Sequence, residues 1–257
     1  MKLSVITINL NNAVGLQKTI NSVICQSFTD FEYIIIDGGS NDNSREIISQ
    51  FSEKINNWVS ETDSGIYNAM NKGIIQATGE YCFFLNSGDY LVDANVLESV
   101  YKDDPSEEIL FGNLYVTKGG KTIGKIYGKQ ALTFSDIYSN TVKHQAAFIR
   151  RSLFEKFGLY NENRNIIADW EFFLKTLGLG NVSYRYFDLF ISYFDNDGIS
   201  NRSKSVTNSE VKLVIQENIP LMMQKDYEYL NKYKRYERVF RNRFSFLLVR
   251  AINKFIS

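Results

Sequence analysis

Charge of one sign is the first thing this chain lacks: 29 Lys and Arg stand against 29 Asp and Glu across 257 residues. That balance gives no bulk reason to expect a polyanionic partner, so nucleic acid is not expected. Cysteine is scarce too. Cys25 and Cys82 sit in apolar segments and are expected to be buried free thiols, which suits a reducing compartment rather than a disulfide framework. No window approaches the roughly 20 apolar residues of a membrane span. Met1–Asn9 turns polar too soon for a secretory leader, so cytoplasmic residence is expected. Neither internal repeats nor low-complexity segments occur. The first strand is not followed by a Gly-x-Gly-x-x-Gly turn: Asn9–Gly15 lacks the glycines that cradle a pyrophosphate, and no lysine-bearing phosphate loop occurs. A nucleotide bound here must be held by side chains, with metal help.

What remains is an ordinary globular composition, 44% hydrophobic and 23% charged. Short apolar runs at Leu3–Ile8, Glu32–Ile36, Ile55–Ser60 and Tyr81–Leu85 predict strands. Helical spacing appears between them at Val14–Cys25, Ser44–Phe51 and Ile66–Ala77. This alternation predicts an α/β domain on a Rossmann-like, mainly parallel sheet flanked by helices. Beyond residue 100 the pattern changes. Ile109–Thr117 and Lys121–Tyr127 flank Lys118-Gly119-Gly120 as a hairpin. Ser152–Phe157 and Asp169–Leu177 read as helices, and Val182–Phe187 and Leu189–Phe194 as strands. The expected organisation is a catalytic domain over 1–204, halved at about residue 100, and a helical extension over 205–257.

Two strands end in acids. Tyr33–Ile36 runs into Asp37-Gly38-Gly39-Ser40-Asn41-Asp42, and Tyr81–Leu85 runs into Asn86-Ser87-Gly88-Asp89. Acids at the carboxyl edge of an open sheet suggest a shared ligand or metal pocket. Asp37 can accept from a base N–H or ribose hydroxyls, or serve the turn as a cap. Asp63 falls at the same edge, and Lys72 is within a side chain's reach of a phosphate there; the alternative is an exposed loop before an amphipathic helix. His144, the only histidine, forms with Gln145 a polar pair inside an apolar run, which points to a pocket lining.

Four blocks occur in order: Ile-Ile-Asp-Gly-Gly-Ser-x-Asp; Asp-x-Gly-Ile-Tyr-x-Ala-Met-Asn-Lys-Gly; Gly-Glu-Tyr; and Phe-Leu-Asn-Ser-Gly-Asp. With Asn9 and Asn11 after the first strand, they resemble the GT-A-fold, family 2 inverting glycosyltransferases over roughly residues 1–200. The resemblance implies that Thr7, Asn9, Asp37, Asp63, Lys72, Asn86 and Ser87 hold a nucleotide-sugar, usually a UDP-sugar. It makes Asn86–Asp89 the metal region, with Asp89 its one ionised ligand for Mn²⁺ or Mg²⁺ because Asn86 and Gly88 stand where the family often has acids. Ala168-Asp169-Trp170-Glu171 resembles the family's acid–acid–aromatic block. Ala168 replaces the first acid, so Asp169 is the expected catalytic base. His144, Gln145, Trp170 and Glu171 are expected near the diphosphate or the acceptor. A hydroxyl of a lipid-linked saccharide in surface polysaccharide synthesis, of the O-antigen or capsule kind, is the acceptor this analogy implies.

Residues 225–257 carry nine Lys and Arg against three acids, interleaved with aromatic and aliphatic residues. Such a helix binds a membrane surface. It can equally pack on the catalytic domain or on a second subunit as a homodimer. Two rival functions are weighed against glycosyl transfer: a nucleotidyltransferase, which wants a basic glycine-rich loop at Asn9–Gly15, and a nucleotide-sugar-binding protein that has lost activity, which the residues Gly88 and Ala168 favour.

Overall fold

The computed structural model describes residues 1–139, 142–196 and 204–240. Strand β1 (Leu3–Asn9) lies between β2 (Phe31–Asp37) and β4 (Tyr81–Phe84), and β3 (Asn57–Ser60) flanks β2, all four parallel. Every residue of β1 is buried, which is why it reads as an unbroken apolar run rather than an alternating one.

The two faces of these strands take different helices. Leu3, Val5, Tyr33 and Ile35 join one core with Leu16 and Ile20 of helix α1 (Ala13–Ile24), Ile48 of α2 (Ser44–Gln50) and Leu97 of α4 (Val96–Tyr101). The residues between them face α3 (Ile66–Gln76), whose Gly73 lies against Ile6. In α1 the buried residues Leu16, Ile20 and Val23 form one stripe, and Asn12 caps its start by accepting from the Gly15 N–H at 3.1 Å.

The sheet then turns mixed. Its order is β3-β2-β1-β4-β8-β6-β9-β5, with β7 (Lys121–Ile126) paired to β6 (Ile109–Lys118) in the expected hairpin. Strand β8 (Ala147–Arg150) runs antiparallel to both β4 and β6, and Phe83 stacks on its direct partner Phe148 at 4.6 Å. Such a ring pair adds about 1 kcal/mol beyond its burial.

Four expectations need correction. The two strands read at 182–187 and 189–194 are one, β9 (Tyr184–Asp195), which pairs parallel to β6 and antiparallel to β5 (Tyr90–Leu91). The polar break at Asp188 falls where the β6–β9 register shifts, and its carboxylate accepts from Asn113 Nδ2 at 3.0 Å. Helix α4 and helix α5 (Phe134–Ser139) are additional and short. The helix expected at Asp169–Leu177 is α7 (Ala168–Phe173) running into a π-helical turn, Leu174–Leu179; α6 (Ser152–Phe157) is as read. Finally, Cys82 is buried, with its thiol pushed up to about 12 by burial, but Cys25 is exposed, because it follows the last residue of α1.

The chain divides into two compact units, Met1–Thr207 and Asn208–Ser257. Helices α8 (Lys204–Asn218) and α9 (Leu221–Phe240) are joined at a corner where Gln224 Nε2 donates to Ile219 O at 2.7 Å. Tyr229, Leu230 and Tyr233 of α9 are exposed and Tyr227 is buried. The rest of the basic segment, residues 241–257, lies outside the described residues. Among the described residues no helix is long and apolar enough to cross a membrane.

Candidate active site

The predicted residues fall into three groups, two at the carboxyl ends of β1, β2 and β4 and one between α3, the turn before β8 and the start of α7. The first is built on Asp37. Its Oδ1 accepts from Asn9 Nδ2 at 2.8 Å and Ser40 Oγ at 2.5 Å; its Oδ2 accepts from the Ser40 N–H at 3.0 Å and Ser60 Oγ at 2.5 Å. Burial alone works to raise this carboxyl, but the hydrogen bonds from Ser40, Ser60 and Asn9 outweigh it and hold it below the usual carboxylate range. Asp37 is fully buried and joins the ends of β1, β2 and β3. Thr7 lies deeper still. It is fully buried, donates to Leu85 O at 2.8 Å and meets Tyr33 Oη at 3.0 Å, so it supports the edge from within the sheet and cannot touch a donor directly. Asn9 Oδ1 is buried without a partner.

Asp63 overhangs this edge: a Cβ on Gly38 would lie 2.9 Å from its Oδ2. Lys72 Nζ sits between Asp63 and Glu61, 2.7 Å from each, and their hydrogen bonds raise its pKa. The ammonium expected to reach a phosphate is thus already held by two carboxylates.

The second group is the turn after β4. Ser87 N–H donates to Ile8 O at 3.0 Å and Ser87 O accepts from Asn12 Nδ2 at 2.9 Å, which fastens the turn to β1 and to the start of α1. Thr19 donates to Asp89 O at 2.6 Å and accepts from the Gly88 N–H at 3.0 Å. Gly88 has φ +105°, a backbone angle that explains glycine where the family often has an acid. Asp89 is buried and accepts from the Asp195 N–H at 2.8 Å. Burial pushes its carboxyl up to about 8, the Asp195 N–H works against this, and the charge of Asp195 adds to it.

Two carboxylates therefore meet here, and the side-chain oxygen of Asn86 is buried nearby in the same turn with no partner. A buried, charge-repelled carboxyl beside a second one is relieved by a cation, and the donors are all hard oxygens, which fits Mg²⁺ or Mn²⁺. Asp89 and Asp195 are the residues that could hold it. No group of three or more His, Cys, Asp or Glu suited to a metal occurs among the described residues, so most of the coordination would come from diphosphate and water.

The third group centres on Asp169, in the first turn of α7. Its Oδ2 lies 2.9 Å from His144 Nδ1, and its Oδ1 accepts from Tyr67 Oη at 3.0 Å. Burial works to raise Asp169, but His144 and Tyr67 hold it lowered, so it stays ionised at neutral pH. The Asp169 side chain keeps 16% exposure. Next to His144, Gln145 is buried and its carbonyl accepts from Ser192 Oγ, which ties this turn to β9. A cavity of about 300 Å³, lined by Phe111, Leu114, Tyr127, Lys129 and Lys143, adjoins the residue before His144.

Trp170 and Glu171, expected near the acceptor, serve the scaffold instead. Trp170 is buried and donates to Ile137 O at 2.8 Å. Glu171 is buried between Arg164 Nε at 3.0 Å and Lys175 Nζ at 2.6 Å, so its charge is spent within the protein. Two contributors were missed from sequence. Tyr67 was visible as the one aromatic in Gly65-Ile66-Tyr67-Asn68, while Asp195 carried only the weak signal of an acid closing an apolar run.

The model of "Glycosyl transferase family 2" matches residues 4–158. A PGL/p-HBAD biosynthesis glycosyltransferase of Mycobacterium tuberculosis is 31% identical over 206 residues, which cover 77% of this chain and 78% of that protein. An uncharacterized glycosyltransferase of the same species is 35% identical over 179 residues, 67% of each chain. Among solved structures, S. aureus TarS 1–349 in complex with UDP-GlcNAc aligns with TM-score 0.66 at 20% identity, covering 84% of this chain and 66% of that one. In the crystal structure of TarS 1–349 by itself the chain spans 60% of the length, with TM-score 0.62 at 22% identity over 76% of this chain. The blocks read from sequence, the mixed sheet with its parallel half and these matches agree: the chain belongs to glycosyl transferase family 2 and has the GT-A fold.

Proposed function

We propose that this glycosyltransferase is an inverting enzyme that takes its sugar from a UDP-sugar and places it on a hydroxyl of a lipid-linked saccharide, in bacterial surface polysaccharide synthesis of the O-antigen or capsule kind. The observation that carries the chemistry is the Asp169 carboxylate, ionised and held at the start of α7 between His144 and Tyr67. A developing alkoxide needs a positioned base, and a departing diphosphate needs positive charge. Asp63 and the loop around Gly38 and Asp37 form the edge for the nucleoside. Asp89 and Asp195 face the diphosphate. A divalent metal held there would screen the diphosphate charge as it leaves.

With the hydroxyl's proton taken up at the Asp169–His144 pair, the acceptor oxygen attacks the anomeric carbon from the face opposite the diphosphate. The configuration inverts in one displacement. The UDP complex of TarS supports the choice of nucleoside by analogy of fold.

A station at the inner face of the cytoplasmic membrane, where a lipid-linked acceptor is presented, belongs to this reading and is supported by the basic and aromatic composition of residues 225–257. Exposure of Tyr229, Leu230 and Tyr233 supports this.

A donor screen monitoring nucleoside diphosphate release tests the whole reading. Release from a UDP-sugar on addition of a lipid-linked saccharide, with the opposite anomeric configuration in the product, is the expected result. Absence of UDP binding by calorimetry, with and without Mn²⁺, would sink it. Liposome co-sedimentation should be lost when residues 225–257 are removed; unchanged sedimentation would refute membrane binding by that segment.

A further inference from the structure

We propose that the turn of the β6–β7 hairpin is a contact for an anionic lipid surface, made by Lys118, Lys121, Ile123 and Lys125, and that it turns the carboxyl edge of the sheet toward that surface. This extends the reading of a lipid-linked acceptor given above, and it rests on residues outside the segment 225–257.

The placement follows from strand directions. Strand β4 is parallel to β1, β8 is antiparallel to β4, and β6 is antiparallel to β8, so β6 runs the same way as β1. Its carboxyl end therefore lies at the edge where β1, β2 and β4 end. Thr117 pairs with Asp195 there, and the chain continues past it into Lys118-Gly119-Gly120-Lys121. A Cβ on either glycine would meet nothing within 4 Å, so the turn stands clear of the rest of the fold.

Its chemistry is one-sided. Between Glu108 and Asp136 the chain holds four lysines and no acid, although its charges balance overall. Lys129 is paired with Asp136. Lys118, Lys121 and Lys125 are exposed, and among the described residues no carboxylate pairs with them. The Lys125 ammonium lies over the rings of Tyr115 and Phe190, 5.4 Å from each centroid. Ile123 falls between Lys121 and Lys125 and is 56% exposed.

Among the described residues β7 pairs only with β6, so lysines on it also keep an open sheet edge from pairing with another chain. Edge protection accounts for Lys121 and Lys125. It leaves unexplained an exposed isoleucine between them and a third lysine across the turn. A polyanion in water would use the lysines and have no use for Ile123. A lipid surface uses both: anionic headgroups attract the ammonium groups, and the aliphatic side chain enters the boundary with the acyl chains. The contact is weak by itself. Stable attachment takes two such signals, so loss of residues 225–257 still releases the chain.

Two measurements on the full chain test the proposal. The first is co-sedimentation with mixed phosphatidylglycerol and phosphatidylcholine vesicles. Replacing Lys118, Lys121 and Lys125 together by Gln should weaken binding by about 10²-fold, at about fivefold for each lysine, with circular dichroism and melting temperature as in the wild type. The second reads the contact in place. Cys25→Ser removes the exposed thiol, and Cys82 is buried. In that background an environment-sensitive fluorophore on Ile123→Cys should shift to the blue on the same vesicles. The same label on Glu53→Cys, exposed ahead of β3 at the opposite edge of the sheet, should not.

A label at position 123 that stays in water while the protein sediments would overturn the proposal. So would binding of the triple variant within about twofold of wild type, equal binding to pure phosphatidylcholine, or no sedimentation with the anionic vesicles. Heparin bound through the three lysines, with no shift of the label on vesicles, would assign the turn to a polyanion instead. Both readouts are of binding. A protein that shifts the label yet transfers no sugar would overturn the function proposed above and leave this contact standing.

Discussion

Tyr67 and Asp169 are 102 residues apart in sequence and 3.0 Å apart in the fold. Tyr67 is in the first turn of α3, in the half expected to hold the nucleotide; Asp169 is in the first turn of α7, in the half expected to meet the acceptor. One hydrogen bond therefore joins the two halves at the carboxylate proposed to carry the chemistry.

Tyr67→Phe removes that bond and leaves the ring, which packs against Tyr160 at 5.7 Å, in place. A hydrogen bond to a charged group contributes about 1.5–3 kcal/mol, so kcat should fall by about 10- to 150-fold. The donor KM should stay near its wild-type value, because Tyr67 acts on Asp169. Steady-state kinetics check this. A loss that appears in donor KM rather than kcat would place Tyr67 on the donor instead.

Asp37→Asn should cost stability before it costs chemistry. The carboxylate accepts four hydrogen bonds from Asn9, Ser40 and Ser60, and an amide can accept only part of them. A loss of about 2–3 kcal/mol is expected. The pH dependence has a definite sign. Asp37 has its folded pKa lowered, so its contribution is fully present above the unfolded value of about 3.9 and is lost as pH falls through the folded value. Wild-type and variant melting temperatures should differ most near neutral pH and converge in acid. A constant difference down to the acid limit would count against the hydrogen-bonded carboxylate as the cause.

The parallel half of this fold was legible because its strands are buried on both faces, and its helices alternate with them at short spacing. The second half was less so. Strand β9 carries Asp188 in mid-run, and only the register shift opposite Asn113 shows why an acid is tolerated there. Helices α4 and α5, six residues each, are too short for periodicity to register. Within the site, local sequence pointed to Asp89 and Asp169, because each belongs to a recognisable block. Their partners, Asp195 and Tyr67 with His144, come from distant segments brought together by the sheet, and no local pattern encodes such a meeting. Trp170 and Glu171 misled for the converse reason: being next to Asp169 in sequence, they point away from it into the scaffold.

Gly73 tests the packing of α3 on the sheet. A Cβ there would lie 2.5 Å from Ile6 Cγ2, and Ile6 is fully buried in the central strand, so it cannot yield without moving β1 or α3. Gly73→Ala should destabilise the protein by about 1–3 kcal/mol, despite alanine's better helix propensity. Thermal or urea denaturation measures it. The displacement of α3 would also carry Tyr67 away from Asp169, so a fall in kcat should accompany the loss of stability.

If the proposed metal binds at the Asp89–Asp195 pair, its affinity depends on pH in a definite direction. Burial first, and the neighbouring charge of Asp195 after it, push the Asp89 carboxyl up to about 8, so at neutral pH without a cation it holds a proton. A divalent ion must displace that proton. Manganese affinity in the presence of UDP should therefore rise with pH to about 8 and level off above it. The stability of the metal-free protein moves the opposite way. A carboxyl whose folded pKa lies above its unfolded value of about 3.9 favours the folded state most in acid, and this contribution is lost as pH rises through about 8. Manganese with UDP should restore that loss. Asp89→Asn should remove this contribution to the pH dependence of both quantities and weaken manganese-dependent UDP binding by at least tenfold, while Asp195→Asn, by removing the repelling charge, should shift the pH midpoint of manganese binding downward. Calorimetric titrations at several pH values measure these together. A manganese affinity independent of pH in the wild type would show that Asp89 is not the group the metal displaces a proton from.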